Sequence, residues 1–242
     1  VEIYAHRGFS GKYPENTMLA FQKAYDVGVD GIELDVQMTK DGEIVVIHDE
    51  RIDRTTNGIG YVKDFLYKQL RLFDAGSWFH DCFARQRIPA LREVLEWVQN
   101  VDKKIMINIE LKNNVIDYPH LEEKLLKMIE QFQLEKQVIL SSFNIRSMGK
   151  VRQLHPTIHI GTLFAGVNES AIQSTKLVNA QAIHGDLSFV LSSEGKEAAT
   201  QGMKLRVYTV NDAKVVPLLR NAKVSALMTD FPNELMAERC ET

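Results

Sequence analysis

Cysteine is nearly absent from this chain: Cys82 and Cys240 are the two among 242 residues, and their separation is not a metal-type spacing. That excludes a disulfide scaffold and a cysteine-built zinc site. It points to free thiols in a reducing compartment, with one Cys82–Cys240 disulfide as the alternative. No apolar run approaches the ~20 residues that a membrane-spanning helix requires. An excess of one charge is missing too. Lys and Arg number 29 against 32 Asp and Glu, a net charge of −3, which gives no footprint for nucleic acid or an anionic membrane surface. No Gly-rich G-x-G-x-x-G loop follows the first strand, which counts against a dinucleotide-binding doubly wound sheet. No signal peptide is visible, so a cytoplasmic location is expected. Because the chain starts at Val1 rather than Met, a removed leader and secretion stay open.

What is present is an ordinary globular composition, 45% hydrophobic and 25% charged, with a repeating pattern. A strand is expected over Glu2–His6, then a helix capped by Asn16 or Thr17 that runs to about Val27 and stops at Gly28. A second strand covers Gly31–Gln37, and after the Lys40-Asp41-Gly42 turn a further strand reads from Glu43 to Asp49. Residues from about 50 to 88 break the rhythm and read as an insertion, either a packed surface excursion or a substrate-side lid. Past Pro89 helices and strands alternate. The helices fall at about 91–98, 118–132, 145–154, 169–177, 192–201, 213–219 and 233–238. The strands fall at 105–112, 138–142, 157–163, 182–185, 205–209 and 224–229. Core strands around Ile3, Ile32, Ile107, Ile139, Ile160, Ile183, Val207 and Leu227 make eight. The expected fold is therefore a (β/α)8 TIM barrel in one domain over 1–242, with the insertion between the second strand and second helix.

Strand periodicity exposes the chemistry. Glu33 and Asp35 share one face of an otherwise apolar strand. Glu110 and Lys112 do the same in Ile105–Lys112, opposite the isoleucines. Buried carboxylates demand compensation. In such barrels the strands' C-terminal ends build the site, and those ends deliver His6 and Arg7, Glu33 and Asp35, Glu110 and Lys112, Ser141 to Phe143, and later Asp186, Tyr208 and Asp230. An all-oxygen carboxylate set suits one hard divalent cation, Ca²⁺ or Mg²⁺. Arg7 and Lys112 suit a phosphate. His6 and His48 suit acid/base work near neutral pH. Together they specify phosphoester cleavage. The competing reading pairs Glu33 and Asp35 with Arg7 and Lys112 as structural ion pairs.

Ala5-His6-Arg7-Gly8, Pro14-Glu15-Asn16-Thr17, Gly31–Val36, Val46-Ile47-His48-Asp49, Ile109–Lys112, Val207–Asn211 and Met228–Pro232 appear in order along nearly the whole chain. In this the sequence resembles the glycerophosphodiester phosphodiesterase family. The resemblance implies a (β/α)8 barrel and hydrolysis of glycerophosphodiesters to sn-glycerol 3-phosphate and an alcohol. It makes His6 and His48 the acid/base pair, Glu33, Asp35 and Glu110 the ligands of a divalent cation, and Arg7 and Lys112 the phosphate contacts. Phe143 and Tyr208 become walls of the substrate pocket, with Trp78 and Phe79 as further aromatic candidates. Tyr208 stands where many members carry tryptophan. Glu15 and Asn16 read as supporting or capping residues. His80, His120, His155 and His159 receive no role, and His184 stays ambiguous on a core strand. The expected partner is a small glycerophosphodiester, and an oligomer is compatible with the sequence. Two other readings are carried: cleavage of an intact phospholipid in the manner of phospholipase D-like or phosphatidylinositol-type enzymes, and a non-catalytic phosphodiester-binding barrel.

Overall fold

The computed structural model describes the backbone of residues 1–241 and the side chains through Arg239. In chain order the strands are β1 (Glu2–His6), β2 (Gly31–Met38), β3 (Ile44–Val46), β4 (Met106–Leu111), β5 (Val138–Ser142), β6 (His159–Phe164), β7 (Ala182–Gly185), β8 (Lys204–Val207) and β9 (Ala226–Thr229). All but β3 run parallel, each beside the next, and β1 pairs with both β2 and β9, which closes the barrel. The helices are α1 (Met18–Val27), α2 (Tyr67–Leu70), α3 (Leu91–Asn100), α4 (Leu121–Gln131), α5 (Ile145–Leu154), α6 (Ala171–Leu177), α7 (Leu187–Leu191), α8 (Ser193–Thr200), α9 (Val216–Asn221) and α10 (Pro232–Glu241). This is the TIM barrel that the alternation of elements predicts. Among the described residues no helix is long and apolar enough to cross a membrane.

The alternation within each strand sorts side chains into two layers. Ile32, Leu34 and Val36 of β2 and Ile107, Ile109 and Leu111 of β4 are fully buried against Phe21 and Ala24 of α1, Val94 and Leu95 of α3, and Leu121 and Leu125 of α4. Each such side chain removed from water contributes roughly 1.5–3 kcal/mol. The inward layer is apolar at the base, where Tyr4, Ile139, Ala226 and Met228 meet. Gly31 is required there, because a Cβ would lie 2.7 Å from the Tyr4 ring. Towards the strands' C-terminal ends the inward residues become polar, and register fixes their heights. His6 pairs with Glu33 and Glu33 with Asn108, and one layer higher Asp35 pairs with Glu110 and Glu110 with Ser141.

Several elements differ from expectation. The strand expected over 43–49 is only Ile44–Val46, antiparallel to Val36–Met38 on the stretch of β2 beyond its pairing with β1. His48 therefore lies in the bend after β3. The helix expected at 192–201 is α8, which Ser192 caps through the Gly195 N–H, and ahead of it an unexpected short helix α7 forms, capped by Asp186 through the Phe189 N–H. The run Leu187-Ser188-Phe189-Val190-Leu191 has too few residues to show a helical period against the preceding strand. Residues between β3 and α3 carry their own small core, in which Ile47, Ile52, Val62, Leu70, Ala75 and Ile88 pack with Val45 of β3. His184 is a core residue: its Nε2 accepts from Arg206 Nη1 at 2.9 Å. Burial, and then the Arg206 charge, push its imidazole well below the ordinary range. Cys82 is a free, exposed thiol, and the side chain of Cys240 lies outside the described residues.

Candidate active site

His6 ends β1, and the tight loop behind it aims its ring. Arg7 takes a left-handed φ of 56° and Gly8 one of 79°. A Cβ on Gly8 would sit 2.8 Å from the Ala20 carbonyl carbon, so the loop can lie on α1 only with glycine there. His6 Nδ1 lies 2.7 Å from Asp230 Oδ1, and its Nε2 lies 4.0 Å from Glu33 Oε2. Asp230 also accepts from Ser10 Oγ and Asn211 Nδ2. Burial alone would raise its carboxyl, but the hydrogen bonds from His6, Asn211 and Ser10 and the His6 charge bring it down to about 2.

Glu33, Asp35 and Glu110 present carboxylate oxygens within 4.8 Å of one another, all buried. Their environments differ sharply. Glu33 accepts the Arg7 backbone N–H at 3.0 Å, while its Oε1 is buried without a partner among the described residues. Burial, then the neighbouring charges of Asp35 and Glu110, push its carboxyl well above the ordinary range. Glu110 is raised by burial and then by Asp35, with Lys112 opposing. Asp35 goes the other way: burial raises it, but Arg7, His48, Lys112 and the Asn16 hydrogen bond together hold it low. Asn16 grips Asp35 twice, its Nδ2 donating to Oδ2 at 2.9 Å and its Oδ1 accepting the Asp35 N–H at 3.4 Å.

The cations rest on these acids. Lys112 Nζ is 2.8 Å from Glu110 Oε1 and 3.9 Å from Asp35 Oδ1, and it donates to His48 Nε2 at 3.1 Å. Since Lys112 is a donor, His48 Nε2 is the acceptor and the ring proton sits on Nδ1, donated to Asp49 Oδ1 at 2.6 Å. Burial, together with the Arg7 and Lys112 charges, lowers the His48 imidazole, with Asp35 opposing. Arg7 Nε lies 3.5 Å from Asp35 Oδ2, and its Nη1 donates to Glu15 Oε1 at 2.9 Å. Phe143 stands edge-on to Tyr208 at 6.3 Å, with Lys112 Nζ 5.9 Å from its ring centre. The Tyr208 hydroxyl is taken by the Phe164 carbonyl. Beyond Phe143 opens a groove of about 930 Å³ bordered by Asn113, Tyr118, Asn144 and Arg146.

The nine residues singled out from sequence, His6, Arg7, Glu33, Asp35, His48, Glu110, Lys112, Phe143 and Tyr208, thus all lie at the C-terminal end of the barrel. Trp78 and Phe79 meet edge-to-face at 5.6 Å, and Phe79 continues to Phe83. Sequence reasoning gave no role to Asp49, Asp230 or Arg54. Asp230 stood among the strand-end residues and Asp49 beside His48, but nothing local pointed to Arg54.

The donor set fits a hard cation. All three carboxylates supply oxygen, they converge, and the orphaned Glu33 Oε1 is a buried lone-pair group with nothing to bind. A (β/α)8 barrel with such a cluster, two histidines and two fixed cations defines a phosphoester hydrolase suited to a divalent metal. Comparison makes this specific. Residues 6–234 match the glycerophosphoryl diester phosphodiesterase family. A glycerophosphodiester phosphodiesterase of Caldanaerobacter subterraneus subsp. tengcongensis is 41% identical over 235 residues, covering 97% of this chain and 96% of that one. One from Bacillus altitudinis is 41% identical over 242 residues, 99% of this chain and 98% of its own. Among solved structures, an Oleispira antarctica phosphodiesterase in complex with the product sn-glycerol 3-phosphate superposes with a TM-score of 0.88 at 26% identity, covering 99% and 97% of the two chains. The chain belongs to the glycerophosphodiester phosphodiesterase family, and it is a phosphoric diester hydrolase.

Proposed function

We propose that this enzyme cleaves small glycerophosphodiesters to sn-glycerol 3-phosphate and an alcohol, with His48 as the base, His6 as the acid, and Arg7 and Lys112 on the phosphate. The observation that carries the assignment is the state of His48. Its Nδ1–H is held by Asp49 and its Nε2 is unprotonated, accepting from Lys112 Nζ, so it can take a proton where a substrate hydroxyl replaces that contact. His6, braced by Asp230, presents Nε2 near Glu33 and takes the complementary role towards the leaving oxygen. In the mechanism implied by the family resemblance, the glycerol 2-hydroxyl attacks phosphorus and the alcohol oxygen departs with a proton. Water then opens the cyclic phosphate, and the neighbouring hydroxyl makes the first step effectively intramolecular. Glu33, Asp35 and Glu110 would hold the divalent cation, Ca²⁺ or Mg²⁺, which when bound supplies positive charge to the phosphoryl oxygens. Arg7 and Lys112 can serve the phosphate because each keeps a carboxylate contact that orients it. Phe143 and Tyr208 wall the pocket, and the groove beside Phe143 gives the alcohol a route out.

Phosphorus NMR of the protein with glycerophosphoethanolamine, run with Ca²⁺ or Mg²⁺ and again with excess chelator, tests this. Metal-dependent appearance of glycerol 3-phosphate is the expected result. A diester signal unchanged with either cation would sink the reading.

A further inference from the structure

Arg54 lies in the segment between β3 and α3, outside the barrel proper, yet its guanidinium is fully engaged at the rim of the site. Nε donates to Asp49 Oδ2 at 2.7 Å and Nη2 to Asp49 Oδ1 at 3.1 Å. On the other side Nη1 donates to Glu15 Oε2 at 2.9 Å and Nη2 to Glu15 Oε1 at 2.8 Å. Each carboxylate then touches one working group: Asp49 Oδ1 holds His48 Nδ1, and Glu15 Oε1 holds Arg7 Nη1. A single planar fork thus joins the base to the phosphate-binding arginine.

We propose that Arg54 is a positioning residue for phosphodiester hydrolysis, fixing His48 and Arg7 relative to each other while cancelling the charge of two carboxylates beside the phosphate site. Two physical arguments support it. The first is geometric. Only guanidinium offers enough coplanar donors to grip two carboxylates bidentately, whereas a lysine ammonium is a point charge that leaves both free to rotate. The second is electrostatic. Glu15, Glu33, Asp35, Asp49, Glu110 and Asp230 surround an anionic substrate, against Arg7, Lys112 and Arg54. Without Arg54, Glu15 would draw on Arg7 alone and Arg7 would be less available to phosphate. A purely structural role is disfavoured by exposure: the Arg54 side chain is 43% accessible, where ion pairs add little to stability.

The inference rests on the hydrolase reading above, and the test separates the two. R54K and R54Q are compared with wild type by steady-state kinetics on glycerophosphoethanolamine, thermal melting, and nitrogen NMR of ¹⁵N-histidine-labelled protein. R54Q should raise KM and lower kcat, each about tenfold, within the range that a small misplacement of catalytic groups produces. R54K should return KM towards wild type, because the charge is back, and leave kcat low, because the fork is not. Both should melt near wild type, and His48 should pass from a single Nδ1–H tautomer to a mixture in R54Q. Wild-type kcat and KM in R54Q, full rescue of both by R54K, or activity lost only in proportion to unfolded protein would each overturn the proposal. A wild-type enzyme that turns over no glycerophosphodiester would overturn the hydrolase reading instead. The His48 tautomer would then decide on Arg54 alone, with an unchanged signal in R54Q counting against it.

Discussion

Three carboxylates crowded into one buried site do not share a protonation state. Arg7, His48 and Lys112 hold the Asp35 carboxyl below the ordinary range, while burial and then the charges of Asp35 and Glu110 push Glu33 well above it. A divalent cation reverses that balance, since it binds the ionised form and expels the proton. Metal uptake should therefore weaken as pH falls, releasing protons over the range where Glu33 is still protonated. Calorimetry in two buffers of different ionisation heat will show this as a buffer-dependent enthalpy, and identical enthalpies would contradict it. Among single residues, Glu33, Asp35, Glu110 and Lys112 were legible because strand alternation puts charge where an apolar side chain belongs, and His6 because it ends the first strand. Arg54 was not, and Asp230 was legible only as a strand-end residue, not as the partner of His6. Nothing in sequence ties residue 230 to residue 6, and an arginine in an irregular segment carries no period that would show where its side chain ends.

At the level of the element, β2 separates stability from chemistry by face. Ile32, Leu34 and Val36 face the helices, while Glu33 and Asp35 face the interior. Leu34→Ala should cost about 2–5 kcal/mol, as large-to-small changes in tight cores do, with little change in kcat per folded molecule. Urea unfolding combined with active-site titration distinguishes the two effects, and a loss of kcat matching the loss of stability would show that the faces are coupled. Most barrel strands and helices were readable from period and caps, as with Thr17, whose Oγ1 accepts from the Ala20 N–H to start α1. The weak points were β3 and α7. β3 is cut to three residues because the chain must bend to bring His48 back over the barrel. α7 is five residues long and is set by the caps at its two ends, not by periodicity.

For the whole molecule the site is also part of the acid-stability profile. The carboxyls of Asp49 and Asp230 both sit at about 2, held there against burial by Arg54 and His48 in one case and by His6, Asn211 and Ser10 in the other. Groups depressed in the folded state add stability above the ordinary carboxylate range of about 4 and lose it as pH falls through the folded value. Stability should therefore drop between about pH 4 and pH 2, and a combined Asp49→Asn and Asp230→Asn variant should show a shallower decline over that window in chemical denaturation. An unchanged slope would mean that other groups govern acid unfolding. The eightfold architecture was readable at this scale because each βα unit repeats the same signal. The closure that joins the first strand to the last was inferred from the count of strands alone, and its consequence for the site was not visible.

That closure has a meaning in time as well as space. His6 leaves the ribosome 224 residues ahead of its partner Asp230. A nascent chain can pair β1 with β2 early, but the histidine stays unbraced until β9 emerges and docks. Synthesis therefore carries an open sheet through seven of its eight parallel strands, and the contact that braces His6 can form only after the eighth has been made.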